Sequence, residues 1–530
     1  MNNIFAQQIA GGETFLGIEL GSTRIKAVLI GKNHEPLASG GHSWENRLQD
    51  GLWTYTLDDI WCGISACYKN LADQVFEKYG VKLETVGAIG ISAMMHGYLA
   101  CDSGGNLLTP FRTWRNTNTA KAAAALTSRF NFNIPLRWSI AHLEQAILDG
   151  EEHTAEIKNL TTLAGYIHWK LTGKFVLGVG DASGMFPIDS KTCTYDAAML
   201  ASYNETLKAR GLPFVMEDIL PIVLLAGETA GFLTADGAKL LDPAGTLKSG
   251  IPLCPPEGDA GTGMVATNSV APKTGNVSAG TSAFAMIVLE NALGALHEEI
   301  DMVTTPAGAP VAMSHCNTCT SDIDAWVSMF GQFLETTGTS ISTPEKYDLL
   351  YNASLEADPD CGGVLSYNFY SGEPSLRLET GRPLLVRTPD CRWTLPNFMR
   401  AQLYSALCGL KPGLDILFDK ENVELRSIIG HGGFFKTPKV GQQIAAAVFG
   451  VPVSVMETAG EGGAWGMALL AAYSVMGKNR ALNDYLETEV FHSFPCVTVE
   501  PKTEDIAGFG AYYKSFTAVL DAERAAAALI

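Results

Sequence analysis

Two stretches of this chain have a composition suited to holding phosphate oxygens. Leu16–Ile30 is an apolar run, a Gly21-Ser22-Thr23 step and a second apolar run. Asn276–Leu289 repeats the pattern around Gly280-Thr281-Ser282. In each, the glycine and hydroxyl pair read as a tight β-hairpin turn between two strands. Such a turn exposes backbone N–H groups and hydroxyls with no bulky Cβ in the way. Either copy alone is also an ordinary sheet turn. Two copies half a chain apart suggest a duplicated fold that holds a polyphosphate between its halves. Neither is a Walker loop of the G-x-x-x-x-G-K-S/T type, and neither carries the G-x-G-x-x-G of a dinucleotide site. A third feature is Asp259, in Glu257-Gly-Asp-Ala-Gly-Thr-Gly263. Among such small neighbours its carboxylate reads either as a cap of a Gly-rich turn or as an acceptor for the proton of an attacking hydroxyl.

These residues need a frame. At 530 residues the chain is too long for one hydrophobic core, so two large domains are expected. Apolar residues at 47% and charged residues at 18% describe a compact enzyme rather than a disordered chain. A formal net charge of -19 without any Lys/Arg run argues against nucleic acid or an anionic membrane as partner. An anionic substrate would then be met locally, by backbone N–H groups, a divalent cation and a few basic side chains. Eleven cysteines without framework spacing imply reduced thiols in a cytosolic protein, and Cys316-Asn-Thr-Cys319 is the only C-x-x-C. The Met1–Ala6 start lacks a basic leader region, and no run of 18 apolar residues occurs, so a cytoplasmic location is expected.

Strand-like and helix-like segments alternate in both halves, which implies α/β layering. Val86–Ser92 reads as a buried strand, and Leu57–Tyr79 and Ile157–Leu171 as amphipathic helices. Residues 221–263 turn Gly/Pro-rich and mark the passage between domains. Beyond the second hairpin come helices at Ile323–Leu334 and Pro396–Phe418, a strand at Ser427–Ile429, and helices at Val440–Phe449 and Gly463–Val475.

Further motifs follow in order: Met95-His96-Gly97 after a strand, Gly180-Asp-Ala-Ser-Gly184, the Asp259 segment, Gly430-His-Gly-Gly-Phe-Phe-Lys436, and Glu461-Gly-Gly-Ala-Trp-Gly-Met467 opening a helix. In this order and spacing the chain resembles the FGGY carbohydrate kinases, and within them the xylulokinase-like branch, from about Phe15 to about Tyr513. The resemblance implies a two-domain actin/hexokinase-like (ribonuclease H-like) α/β fold, with duplicated ββαβα cores around a central cleft. It divides the chain into a sugar-binding half, residues 1–264, with the base at its end, and a nucleotide-binding half, residues 265–530. The implied reaction is transfer of the γ-phosphoryl of ATP, with Mg²⁺, to a sugar hydroxyl, in a protein that is monomeric or a homodimer.

Carried onto this sequence, the resemblance makes Asp259 the catalytic base. Met95, His96, Gly97, Trp114, Arg115 and Asp181 would line the sugar. Ser22, Thr23 and Arg24 would lie under the phosphates, and Gly280, Thr281 and Ser282 over them. Gly432, Gly433, Gln443 and Gly463 would form the adenosine side, with Gly462 and Ala464 on the far wall. Glu19 would face the metal, although the family usually has Asp there, and it reads otherwise as a solvent-facing strand residue. Glu keeps the hard oxygen ligand but moves it by about 1.5 Å. Lys26 shares the face of Arg24 by strand alternation, or is a solvated strand lysine. Asn116 and Ala447 stand where the family has Asp.

The expected activity is that of a ketopentose kinase, with D-xylulose at O5 the first candidate and L-ribulose the second. The opposing expectation is a sensor of the same fold that binds nucleotide or sugar without transferring phosphate.

Overall fold

The computed structural model of the protein describes residues 2–456, 462–477 and 479–529. Glu461, the first residue of the last motif above, and the terminal Met1 and Ile530 lie outside them.

The first hairpin forms as its pattern requires: β1 (Phe15–Leu20) and β2 (Arg24–Ile30) pair antiparallel, with Gly21 N–H closing the turn onto the Arg24 carbonyl at 3.0 Å. β3 (Pro36–Ser43) continues on the far side of β2. On the near side, β4 (Ala88–Ala93) pairs parallel to β1, and the two-residue β5 (Glu257–Gly258) parallel to β4. The first sheet therefore has the order β5-β4-β1-β2-β3.

The second half repeats it. β6 (Thr274–Ala279) and β7 (Ala283–Val288) form the second hairpin, and β9 (Pro310–Cys316) extends it antiparallel. β10 (Ser427–His431) and β11 (Val453–Met456) add in parallel on the other side of β6. β8 (Asp301–Thr304) and β12 (Cys496–Val499) extend the two edges to give β8-β9-β7-β6-β10-β11-β12. The five-strand core of one half matches that of the other strand for strand, so the repeat seen in the turns is a repeat of the whole frame. This is the two-domain α/β, actin/hexokinase-like architecture.

Helix α1 (Leu57–Tyr79) has the ends its sequence announces. Thr56 accepts the Asp59 N–H at 3.1 Å, Asp58 and Asp59 sit in the first turn, and Gly80 closes the helix at φ 70°. Its Ile60, Ile64, Cys67, Leu71 and Val75 are buried on one face. In each half the fifth core strand feeds a helix: β5 leads into α2 (Asp259–Ala266), and β11 precedes α4 (Gly462–Met476). The α4 helix belongs to the second half by topology but packs on the first sheet. Phe15, Val28 and Ala88 share one core with Ala464, Trp465 and Met467.

Three sequence expectations change. Residues 157–171 are not one helix, because Asn159–Thr161 pairs as a strand with Leu99–Cys101 and the helix starts only at Leu163, capped by Thr162. The helix expected to end at Phe418 stops at Cys408, and a new one starts at Lys411 with Pro412 in its first turn, where the ring costs no hydrogen bond. The Gly-rich segment around Asp259 is no turn but β5 and α2, and α2 runs through residues 264 and 265. It packs closely on α4, where a Cβ on Gly466 would overlap the Thr262 carbonyl of α2. All eleven cysteines are free thiols, and among the described residues no His, Cys, Asp and Glu group could hold a metal by itself. No helix of the described residues is long and apolar enough to cross a membrane.

Candidate functional site

A polar row crosses the first sheet. Glu257 lies beside Ser92 in register, Ser92 beside Glu19, and Glu19 beside Lys26. Strand registration puts these side chains on one face. Arg24 lies two residues before Lys26 on β2, and its guanidinium spreads over Gly41, where a Cβ would come within 2.6 Å of Nη2. Asp259 stands at the head of α2, one residue beyond β5.

The Asp259 carboxylate is positioned from outside its own helix. Oδ1 accepts the backbone N–H of Met95 at 3.0 Å. Burial raises its pKa, while the Met95 and Ala260 N–H groups oppose the rise. Asp259 keeps part of its surface open. A partly open carboxylate made more basic by its surroundings, at the positive end of a helix, suits a proton acceptor.

Met95-His96-Gly97 turns sharply beside it. His96 takes φ 69° and Gly97 φ 100°, and a Cβ on Gly97 would approach the Phe111 ring within 2.8 Å. His96 is buried, faces the Gly184 carbonyl through Nδ1 at 3.2 Å and stacks at 6.3 Å on Trp138. Burial, then Arg137, drives its pKa well below the usual value, so it is a neutral hydrogen-bonding group and not a cation. Asp181 is buried in the short helix Val179–Ala182. Its Oδ2 accepts the Thr162 hydroxyl at 2.6 Å, and its Oδ1 has no partner among the described residues.

Glu257 is the residue that sequence reasoning missed. It is buried, and its two oxygens accept the N–H groups of Gly180 at 3.3 Å and Asp181 at 2.9 Å. Gly178 and Gly180 leave room for it, since a Cβ on either would overlap its carboxyl group. The available signal was a glutamate two residues before Asp259, next to Gly178-Val-Gly180 in space only. Glu257 thereby holds the Asp181 turn to β5, the strand that leads into Asp259.

Three carboxyls here titrate late. Burial raises Glu257 from 4.5 to about 8, with Asp181 adding to it. Burial also raises Asp181 from 3.8 to about 7 against the Thr162 hydrogen bond, and Glu19 from 4.5 to about 7 with help from Asp259. Folded-state pKa values above the unfolded ones mean that the folded protein binds these protons more tightly. Their contribution to stability is complete below about pH 4 and is lost as pH rises to about 8. The nucleotide-free protein is expected to melt at a lower temperature at pH 8 than at pH 6, and Glu257→Gln to narrow that gap. A scanning-fluorimetry series checks this, and a wild-type melting temperature that is flat or rising over that interval would contradict it.

Trp114 reaches the Gly21–Thr23 turn, its Nε1 donating to Ser22 Oγ at 3.3 Å. Arg115 makes a cation–π contact with the Trp53 ring at 3.8 Å and stays exposed. Asn116 is buried, and its amide brackets Trp53: Oδ1 accepts the Trp53 N–H at 2.9 Å, and Nδ2 donates to the carbonyls of Trp53 at 2.8 Å and Thr113 at 3.0 Å. A carboxylate could not donate to either carbonyl, which explains why Asn stands here. Asn116→Asp is expected to destabilise by about 2 kcal/mol, measured by urea unfolding.

On the other half, Gly280 N–H closes the second turn onto the Ser282 carbonyl at 3.0 Å. Residues 319–320 back the turn, Cys319 N–H donating to the Thr281 carbonyl and Thr320 to that of Gly280. Gly432, at φ 99°, packs so close to Ala279 that a Cβ would overlap its carbonyl. Gly433 and Gly280 face open space. The Gly280–Ser282 turn and Gly432-Gly433 thus meet at the carboxyl ends of the neighbouring strands β6 and β10, the usual place for ligands in such sheets.

Two residues expected on this side have partners within the protein. Gln443 lies on helix α3 (Val440–Phe449), where its Nε2 donates to Asp505 Oδ2 at 2.9 Å and ties α3 to the helix Thr503–Ala518. Gly463, expected on the adenosine side, lies on α4, which crosses to the first sheet and sets it against Glu19. Ala447 is buried in the apolar core of the second half, where an unpaired carboxylate would be costly. Glu19 offers a cation one hard oxygen ligand, beside the Gly21–Thr23 turn. That suits a divalent ion carried mainly by nucleotide phosphates and water.

The family model for the N-terminal domain of the FGGY family of carbohydrate kinases matches residues 14–265, and that for the C-terminal domain residues 275–475. A xylulose kinase of Escherichia coli is 23% identical over 287 residues, 53% of this chain, and the match spans about half of that protein, 55%. A xylulose kinase of Staphylococcus xylosus is 20% identical over 517 residues, 94% of this chain and 99% of that protein. Among solved structures, a ligand-bound xylulose kinase and a gluconate kinase, both from Lactobacillus acidophilus, each superpose with a TM-score of 0.77. They are 17% and 18% identical, and each match covers 97% of this chain and 99% of the other. They share the fold of this chain.

Proposed function

The chain belongs to the FGGY family of carbohydrate kinases, and on that premise we propose that it transfers the γ-phosphoryl group of ATP to a ketopentose, D-xylulose at O5 before others. The observation that carries this reading is the 3.0 Å bond from Met95 N–H to Asp259 Oδ1. It ties the base to the residue preceding His96, so the sugar-side turn and the proton acceptor hold one geometry. The relatives named as xylulose kinases support xylulose as the acceptor in this reading.

In this reading His96 and Asp181 fix the sugar hydroxyls, and Asp259 takes the proton from O5 as the oxygen attacks the γ-phosphorus. The Gly21–Thr23 and Gly280–Ser282 turns receive the phosphates through N–H groups and hydroxyls. Arg24 supplies positive charge to the transferring group. A divalent cation, Mg²⁺ in the cell, would be held by Glu19 and the phosphates, and would neutralise charge on the β and γ oxygens. We assign the sugar to residues 1–264 and the nucleotide to residues 265–530.

The product tests the reading. Incubation with Mg·ATP and D-xylulose should yield one phosphate ester whose phosphorus correlates with the C5 methylene protons by NMR. An ester at C1, or ATP consumed without any sugar ester, would overturn it.

A further inference from the structure

Glu19 is seated by the other half of the protein. Its Oε1 lies toward the first phosphate turn, 3.7 Å from where a Cβ on Gly21 would stand. Its Oε2 occupies the space that a Cβ on Gly463 would fill, is sealed from solvent and has no hydrogen-bond partner among the described residues. Gly463 is the second residue of α4, and a Cβ there would also approach Thr262 Oγ1 within 2.7 Å. It has no positive φ, so the backbone itself does not call for glycine. Alanine would in fact favour a helix at this point. What requires glycine is first the volume of the Glu19 carboxyl, which a Cβ would overlap, and less so the Thr262 hydroxyl.

We propose that Gly463 is a positioning residue for Glu19, its missing Cβ forming the seat that lets a side chain as long as glutamate point one oxygen at the phosphate turn. The cation-facing geometry of the first half then depends on the placement of a helix from the second. A carboxylate one methylene shorter would not reach the seat, and would not need it. The proposal rests on the reading of Glu19 as the cation-facing carboxylate.

The test compares the full-length wild type with Gly463→Ala, Glu19→Asp, the double variant and Glu19→Gln. Calorimetry measures ADP affinity with and without Mg²⁺, and scanning fluorimetry the nucleotide-free melting temperature. Gly463→Ala should cut the Mg²⁺-dependent gain in ADP affinity by about tenfold or more, the scale seen when a ligand's supporting contact is removed, and should lower the melting temperature despite the better helix former. In the double variant both quantities should return to those of Glu19→Asp alone. A Gly463→Ala protein equal to wild type, or a double variant no better than Gly463→Ala, would overturn the seat. If Glu19→Gln keeps the full Mg²⁺ effect, the cation role of Glu19 fails instead, and the melting temperatures still decide whether the two residues are coupled.

Discussion

Asp259→Asn is expected to lower kcat by about a thousandfold, within the range for loss of a positioned general base, while the KM values for sugar and ATP change only a few-fold. Asparagine preserves shape and an oxygen that can accept the Met95 N–H, the contact that holds the wild-type carboxylate at 3.0 Å. What it loses is the capacity to take a proton. An effect confined to kcat therefore separates proton acceptance from architecture, which Asp259→Ala could not do. The sign of the pH dependence follows from the same group. Burial raises its pKa above the ordinary aspartate value, and the base works only when ionised. Wild-type kcat should thus fall as pH drops through that raised pKa, and the residual rate of Asp259→Asn should not. A loss of less than tenfold at constant KM would remove Asp259 from the chemistry.

The largest expected effect on stability lies away from the reacting atoms, at Gly17. A Cβ there would overlap the Ala464 carbonyl and the Ala468 amide nitrogen, and would sit 3.0 Å from Ala468 Cα. All three are backbone atoms of α4, so no side chain can rotate aside. Gly17→Ala must lift the helix off the sheet along the core shared by the two halves. A destabilisation of about 3 kcal/mol, the upper range for overpacking a tight core, is expected, read from denaturant unfolding. Gly510 is the control: it lies in the helix Thr503–Ala518 with nothing within 4 Å of its Cβ position. Gly510→Ala should be neutral or stabilise by about 1 kcal/mol through helix propensity. Equal responses at the two glycines would mean that α4 does not clamp the halves as described.

The local features of this molecule are the ones its sequence announces. Both hairpins can be read from glycine and hydroxyl residues between apolar runs, and α1 from Thr56 to Gly80 by its cap, its apolar spacing and its terminal glycine. The duplication of the frame follows from the repeat of those turns. The pairings that escaped reading span long sequence separations. Glu257 meets the amides of Gly180 and Asp181, some 76 positions earlier. Gly463 meets Glu19 from a helix that starts in one half and packs on the other. Gln443 is on the expected helix, yet its amide turns to Asp505. No local periodicity encodes such pairings. The Gly-rich stretch around Asp259 misled for a related reason: it forms a helix packed on α4, whose Gly466 leaves no room for a Cβ beside the Thr262 carbonyl, and that partner lies far along the chain.

Sugar-stimulated ADP release tests the central claim most directly, with Mg·ATP and purified full-length protein against D-xylulose, L-ribulose, D-ribulose, L-xylulose, gluconate and glycerol. The account predicts turnover with one ketopentose, D-xylulose foremost, well above the sugar-free rate and lost in Asp259→Asn. Turnover confined to gluconate or glycerol, or no sugar-dependent ADP from any acceptor, would contradict it.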